Sequence, residues 1–280
     1  MIYESVLNSS KKHTFVICAY KESPYIEDCI RSLKRQKSGS AIKLATSTPG
    51  EYLEGLCNKY DIEYCVRNGE PGIADDWNYA YSLADTDYVT IAHQDDVYHK
   101  EYGREVIAGL TCNDDTPCLI IFSDYSELRD GNENKGGINL YIKRVLLAPL
   151  RNSKKNYKLW RKRFAIRFGN AISCPSVTYN KKEIDRLIKE QGRAKLFIRH
   201  FRSNLDWELW EWLSRSKGRF LFIPTILMSH RIHGDSETTA TIRDNERSRE
   251  DYEMFCRFWP RWFARIIASA YEESEKSNIV

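Results

Sequence analysis

The 280-residue chain contains eight cysteines but no Cys-x-x-Cys pair and no short Cys/His spacing of the zinc-binding kind, which excludes a zinc module as its organising unit. Cys18, Cys29 and Cys118 sit in apolar runs, where a free thiol behaves as a small buried hydrophobe, so reduced cysteines and a cytoplasmic setting are expected. No apolar run approaches the length of a membrane span, and Met1 to Lys12 holds no hydrophobic segment of signal-peptide type. The expectation is a chain neither exported by that route nor membrane-spanning. Internal repeats and low-complexity linkers are also missing. A formal charge of +4 is too small to mark the whole chain as a nucleic-acid binder, and 42% hydrophobic residues suffice for the core of one large domain, with or without an extension.

What is present is an alternation of short apolar runs and helical stripes. Thr14-Phe15-Val16-Ile17-Cys18-Ala19 reads as a strand covered on both faces. Ser23 and Pro24 then offer an N-cap and a first-turn proline, and Ile26, Cys29, Ile30 and Leu33 follow at helical spacing. Strand and helix repeat: Ala41 to Thr46, then Pro49 to Tyr60; Ile62 to Val66, then the stripe of Trp77, Ala80, Tyr81 and Ala84. Such an order predicts an α/β fold, with ligands bound outside the carboxyl ends of parallel strands. Further on, the pattern predicts a helix over Lys100 to Thr111 and a strand over Cys118 to Ser123. A helix opens at Asn180 and another near Asn204, two strand-like runs flank Pro224, and a charged helical tail over 243–280 is broken at Pro260.

The fourth strand, Asp87 to Ala92, ends in His93-Gln94-Asp95-Asp96. Two adjacent carboxylates repel one another, and a pair of hard oxygen donors at a strand end suits Mg²⁺ or Mn²⁺, which could bridge to a substrate phosphate. The alternative is a loop that caps a helix starting near His99.

The order of these pieces resembles the family 2 glycosyltransferases. Val16-Ile17-Cys18-Ala19-Tyr20-Lys21-Glu22 through Gln36 is similar to that family's first strand and helix, and Thr86 through Asp96 to its metal-binding strand end. Phe168-Gly169-Asn170-Ala171-Ile172 through Tyr179 resembles its acceptor-side segment, Asp206-Trp207-Glu208-Leu209-Trp210 its acid-plus-tryptophan helix, and His230-Arg231-Ile232-His233-Gly234-Asp235-Ser236 its closing histidine segment. The resemblance implies a GT-A fold, Rossmann-like, with a mostly parallel central sheet flanked by helices and a C-terminal helical extension. The implied domain covers 1–240, with a nucleotide-binding half over about 13–123, a basic insertion over about 141–168 and an acceptor-side half over about 168–240, followed by the extension over 241–280.

The implied reaction is inverting transfer of a sugar from a nucleotide-sugar donor to an acceptor hydroxyl, in assembly of bacterial surface polysaccharide. Its chemistry asks for a general base and for a cation, Mn²⁺ or Mg²⁺, to neutralise the departing diphosphate. By the same resemblance Asp206 is the base, with Glu208 as the fallback should the motif be out of register. Asp95 and Asp96 hold the metal, joined by His233, which otherwise is a polar loop residue. Ala19, Tyr20, Glu22, Thr46, Asp76, Gln94 and Asp95 would line the donor, Tyr20 by stacking on the base; Asp76 has an alternative as a helix N-cap. His230 is expected to point into the sheet. The sequence departs from the family at two places: Thr46-Ser47-Thr48 stands where the family has an Asp that reads the base, and His93 stands where the acidic motif has its first acid.

Charge is uneven. From Tyr141 to Phe168 there are ten Lys or Arg and no Asp or Glu, interleaved with Leu, Trp and Phe. This is either a solvated basic face of an inserted helical region or a helix on an anionic membrane surface, a theme repeated in Arg257 through Arg265 and suited to a glycan acceptor on a lipid diphosphate. Single-stranded nucleic acid would fit such a patch too, but no nucleic-acid module accompanies it and none is expected as a partner. Two other functions compete. A sugar nucleotidyltransferase would need a Gly-rich basic loop after the first strand, and Ala19-Tyr20-Lys21-Glu22-Ser23 has no glycine. A non-catalytic nucleotide-sugar-binding or scaffolding relative is consistent with the residues at Thr46 and His93.

Overall fold

The computed structural model describes residues 12–110, 116–234 and 246–276. Strand β1 (His13–Ala19) is buried on both faces, as a continuous run of Phe, Val and Ile demands. It pairs in parallel with β2 (Ala41–Thr46) and β4 (Tyr88–His93), and β2 with β3 (Glu63–Val66). Beyond β4 the sheet continues through β8 (Val177–Asn180), β6 (Cys118–Arg129), β9 (Arg219–Arg231) and β5 (Val97–Tyr98), while β7 (Asn132–Asn134) pairs with β6. β8 is antiparallel to both neighbours and β9 runs parallel to β6. The sheet is therefore mixed, parallel over β3, β2, β1 and β4 and with antiparallel pairs beyond them, and the carboxyl ends of β1, β2, β3 and β4 open on one edge.

Alternate residues of β1 face opposite layers. Phe15 and Ile17 pack with Ile26, Cys29, Ile30 and Leu33 of helix α1 (Ile26–Lys34), with Leu53 and Leu56 of α2 (Glu51–Tyr60), and with Tyr102 and Val106 of α4 (Tyr102–Leu110). Val16 faces the other layer, with Ala74, Ala80 and Tyr81 of α3 (Ile73–Ser82). Ile184 and Leu187 of α7 (Lys181–Glu190) and Trp207, Leu209, Trp210 and Leu213 of α8 (Leu205–Arg215) belong to that same layer. The tail folds back onto it: Met254 and Phe255 of α9 (Glu246–Cys256) and Ala264 of α10 (Arg261–Lys276) are buried there. Glu250 accepts the backbone N–H groups of Arg202, Ser203 and Asn204 at 2.7–3.0 Å, anchoring the turn that leads into α8. The helical extension thus shares the core of the domain that precedes it, with the break at Pro260 where proline forbids a continuous ladder.

Several local expectations are corrected. Ser23 and Pro24 do not start α1; its N-cap is Tyr25, without a side-chain bond, and Ser23 only accepts the Tyr25 N–H in the preceding turn. β6 runs on to Arg129, past Ser123. Pro224 does not divide two strands, because the ladder between β6 and β9 shifts register around it and one strand continues to Arg231. Asp95 and Asp96 cap no helix: β5 intervenes, and α4 begins only at Tyr102.

The basic segment is not simply a solvated face. Within α5 (Ile138–Leu147) and α6 (Leu159–Ile166) several cations are fastened inward. Arg144 pairs with Asp124 at 2.7 Å, Lys143 donates to the Tyr125 hydroxyl, and Arg163 pairs with Glu211 at 2.6 Å. Lys162 is fully buried and donates to the carbonyls of Ser216 and Gly218; burial pulls its ammonium down to about 8. The tail is fastened in part: Trp259 packs on Phe168 and donates to the Arg167 carbonyl, whereas Trp262 is 70% exposed.

Candidate active site

The strand ends bring the predicted residues together. Asp95 and Asp96 follow β4, and the end of β9 supplies their partners. Asp96 is 1% exposed; its Oδ1 takes the His230 Nδ1 at 3.0 Å and the backbone N–H of Arg231 at 2.9 Å, while its Oδ2 is buried without a hydrogen-bond partner. His230 therefore turns to the acid and not into the sheet; burial alone would lower its pKa, but the charge and hydrogen bond of Asp96 together with the charge of Asp95 raise it. Asp95 meets His233 at 2.9 Å, and its backbone carbonyl accepts Arg231 Nε. Burial pushes the Asp95 carboxyl up, but the hydrogen bond from His233 and the nearby imidazoles outweigh it and hold the group below the usual carboxylate range. Asp235 and Ser236, the last residues of this motif, lie outside the described residues.

His93 closes the other side. Its ring stacks on Trp77 at 5.1 Å, Nε2 is buried without a hydrogen-bond partner, and burial lowers its pKa despite both acids. His93 lies within electrostatic reach of both the acid pair and Asp206. Asp206 sits in the first turn of α8. Asn170 Nδ2 donates to its Oδ2 at 2.7 Å and the Trp207 N–H to its Oδ1 at 2.7 Å, yet burial dominates and raises its pKa. Such a carboxylate is a stronger base than one in water. Gly169, beside Asn170, has φ +142°, and a Cβ there would stand 2.6 Å from the Tyr271 ring. Gly169→Ala is expected to cost about 1–3 kcal/mol and to loosen Asn170 from Asp206; because the Asn170 hydrogen bond holds the Asp206 pKa down, the loss is read as a lower melting temperature together with a higher apparent pKa in the activity profile.

Glu208 does not fit the fallback role. It is buried on the other side of α8, its Oε2 2.5 Å from Arg193 Nη2, with Arg257 also near its Oε1 at 3.4 Å. Gln94 is committed as well: its amide accepts the Tyr20 N–H at 3.0 Å and donates to the Tyr20 carbonyl at 3.2 Å, which fixes the loop after β1. Tyr20 itself is 48% exposed, and Glu22 is exposed beside it. Ala19 and Thr46 end neighbouring strands in register, and the Thr46 hydroxyl is taken by Thr48. Asp76 is not an N-cap, since that position is Gly72. From within α3 it receives Arg67 Nε at 2.7 Å, Ser47 Oγ at 3.0 Å and the Gly72 N–H at 3.2 Å, tying the ends of β2 and β3 together. Arg67, Trp77, Asn170 and Arg231 were missed as site-forming residues; for Asn170 the only signal was its place in the Phe168 to Tyr179 motif. Among the described residues no cluster of three or more His, Cys, Asp or Glu is arranged as a complete metal site.

Comparison with known proteins agrees with this layout. The description "Glycosyl transferase family 2" matches residues 14–173, more than half of the chain. No curated protein matches the sequence. Among solved structures, S. aureus TarS 1-349 in complex with UDP-GlcNAc is similar at 14% identity and a TM-score of 0.59, over 93% of this chain and 71% of that one. A mannosyltransferase from Pyrobaculum calidifontis, PcManGT, in complex with GDP-Man and Mn2+, gives 14% and 0.59 over 93% and 69%. Glucosyl-3-phosphoglycerate synthase from Mycobacterium tuberculosis with Mn2+ and UDP-Glc gives 13% and 0.57 over 92% and 83%. At these identities the likeness concerns the fold. Together with a family match that takes in β1, the acid-bearing end of β4 and Asn170, it leads to one conclusion: the chain belongs to glycosyl transferase family 2 and is a glycosyltransferase of the GT-A fold.

Proposed function

We propose that the protein transfers a sugar from a nucleoside-diphosphate sugar to the hydroxyl of a glycan or lipid-linked glycan, with inversion, in assembly of bacterial surface polysaccharide on the cytoplasmic side. The observation that carries this reading is the half-buried Asp206, its carboxylate held by Asn170 at 2.7 Å and its pKa raised, within electrostatic reach of His93 at the end of β4. Asp206 takes the proton from the attacking hydroxyl while Asn170 holds its carboxylate in place. The donor's base stacks on the exposed Tyr20, whose loop Gln94 holds from β4. Glu22, Ala19 and Thr46 border the same crevice, with Asp76 bracing its floor.

A divalent cation, Mn²⁺ or Mg²⁺, fits the residues present in part. Asp95 and His233 converge at 2.9 Å with a carboxylate held ionised, and the buried, unpartnered Oδ2 of Asp96 lies in the same turn. These protein ligands leave the remaining positions for diphosphate and water, a common arrangement for Mg²⁺. When bound, the cation would neutralise the departing diphosphate.

Isothermal titration with UDP, GDP and dTDP, each with Mn²⁺ and with EDTA, tests the reading. One diphosphate is expected to bind only with metal, and Asp95→Ala to weaken it by roughly a hundredfold or more. Binding of none, or binding indifferent to both metal and substitution, would remove the crevice from the reaction. Because His93 puts a neutral ring where the family has an acid, a nucleotide-sugar-binding scaffold is the second reading. Metal-dependent binding with no donor hydrolysis and no transfer would favour it.

A further inference from the structure

The outward side of α5 has no cover among the described residues. Ile138, Tyr141, Ile142 and Val145 recur at i, i+3, i+4 and i+7, and their exposures are 71%, 64%, 47% and 49%. The inward side holds Leu140 and Leu147 in the core, with Lys143 and Arg144 fastened to β6. A free amphipathic helix face of this kind needs an apolar neighbour. The chain that follows continues the surface: Tyr157, Leu159 and Trp160 are exposed, preceded by Arg151, Lys154 and Lys155 and interleaved with Lys158. These four cations are exposed and make no ion pair among the described residues, in contrast to Arg144 and Arg163 of the same segment.

We propose that the exposed face of α5 and the segment Arg151 to Trp160 dock together on an anionic lipid surface. Charge complementarity selects this occupant. Residues 141–168 hold no carboxylate, so a second copy of the same face would set cation against cation. A lipid interface accepts both halves: apolar side chains enter the acyl boundary, Tyr and Trp sit at the headgroup level, and Lys and Arg meet the headgroup charge. The position suits the crevice. Lys143 of α5 rests on Tyr125, whose ring lies 6.3 Å from that of His230, the partner of Asp96. A docked protein would therefore hold its acid-bearing turn beside the membrane, where a lipid-linked acceptor is found; that last step rests on the function proposed above, whereas the docking does not.

The test is co-sedimentation of the full chain with vesicles of phosphatidylcholine alone and of phosphatidylcholine with phosphatidylglycerol, at rising salt. Binding is expected only to the anionic vesicles and to weaken with salt. Each basic residue at such a surface changes partitioning by roughly fivefold, so Lys154→Gln/Lys155→Gln/Lys158→Gln is expected to weaken binding about a hundredfold. Tyr141→Ser/Ile142→Ser/Val145→Ser is expected to abolish the part that survives high salt. All six side chains are exposed or on the surface loop, so both variants should keep the wild-type melting curve and the wild-type diphosphate titration, which separates failure here from failure of the proposed reaction. Absence of binding at low salt, or full binding by either variant, overturns the proposal. So does a wild-type dimer that the apolar variant dissociates without any vesicle binding.

Discussion

Asp206→Asn is expected to lower kcat by roughly 10²- to 10⁴-fold, the range for loss of a general base, while diphosphate binding stays near wild type. The substitution is isosteric, and the site tolerates it. Asn170 Oδ1 is buried without a partner, so the Asn170 amide can turn over and accept from the carboxamide introduced at position 206, while the Trp207 N–H keeps its acceptor. The sign of the stability change follows from the raised pKa. A carboxyl that binds its proton more tightly when folded contributes stability below its unfolded pKa and loses it as pH rises through the folded value. At neutral pH an ionised Asp206 is thus a burden on the fold, and Asp206→Asn should melt at or above the wild-type temperature. Wild-type activity should fall as pH drops through the raised pKa, and the variant should lack that limb. A pH–rate profile and a melting curve together check the assignment; an inactive variant that also melts early would point to a structural acid instead.

Glu208→Ala has the opposite signature. Glu208 and Arg193 are both nearly buried, and Arg257 adds a second cation, so truncating the acid leaves an uncompensated buried guanidinium. Breaking such a pair costs about 3–5 kcal/mol, which for a chain of this size lowers the melting temperature on the order of 10 °C. Arg193 also stacks on Trp212, so the loop before α8 should loosen with it. Turnover per folded molecule, measured well below the new melting point, should stay within a few-fold of wild type. A full loss of turnover with unchanged melting would return Glu208 to the role of base. The two acids are two residues apart on one helix, and only burial and partners distinguish them.

The order of strands and helices was legible because each element carries its own period. Thr14 to Ala19 is apolar at every position, Ile26 to Leu33 recurs at helical spacing, and both patterns state which faces are covered. The motif around Asp95, the helix bearing Asp206 and the ends of the parallel strands followed from the same local signals, so the crevice was in view from the chain alone. Family, fold class and the list of carboxylates in play came from there.

Which carboxylate is free to act was decided by contacts between distant parts of the chain. Asp96 meets His230 across 134 positions, and Tyr125 brings α5 to the same histidine. Asp76 answers to Arg67 and Ser47 rather than to the start of its helix, and Lys162 leaves the basic run to cap the carbonyls of Ser216 and Gly218. Period and propensity report how one segment meets solvent or core, but a buried charge takes its chemistry from the groups that desolvate and neutralise it. Those groups are brought near only when the sheet closes, and so the sequence by itself determined the fold and the candidate acids, while the tertiary structure decided which of them is braced by cations and which keeps a raised pKa or an unpartnered oxygen.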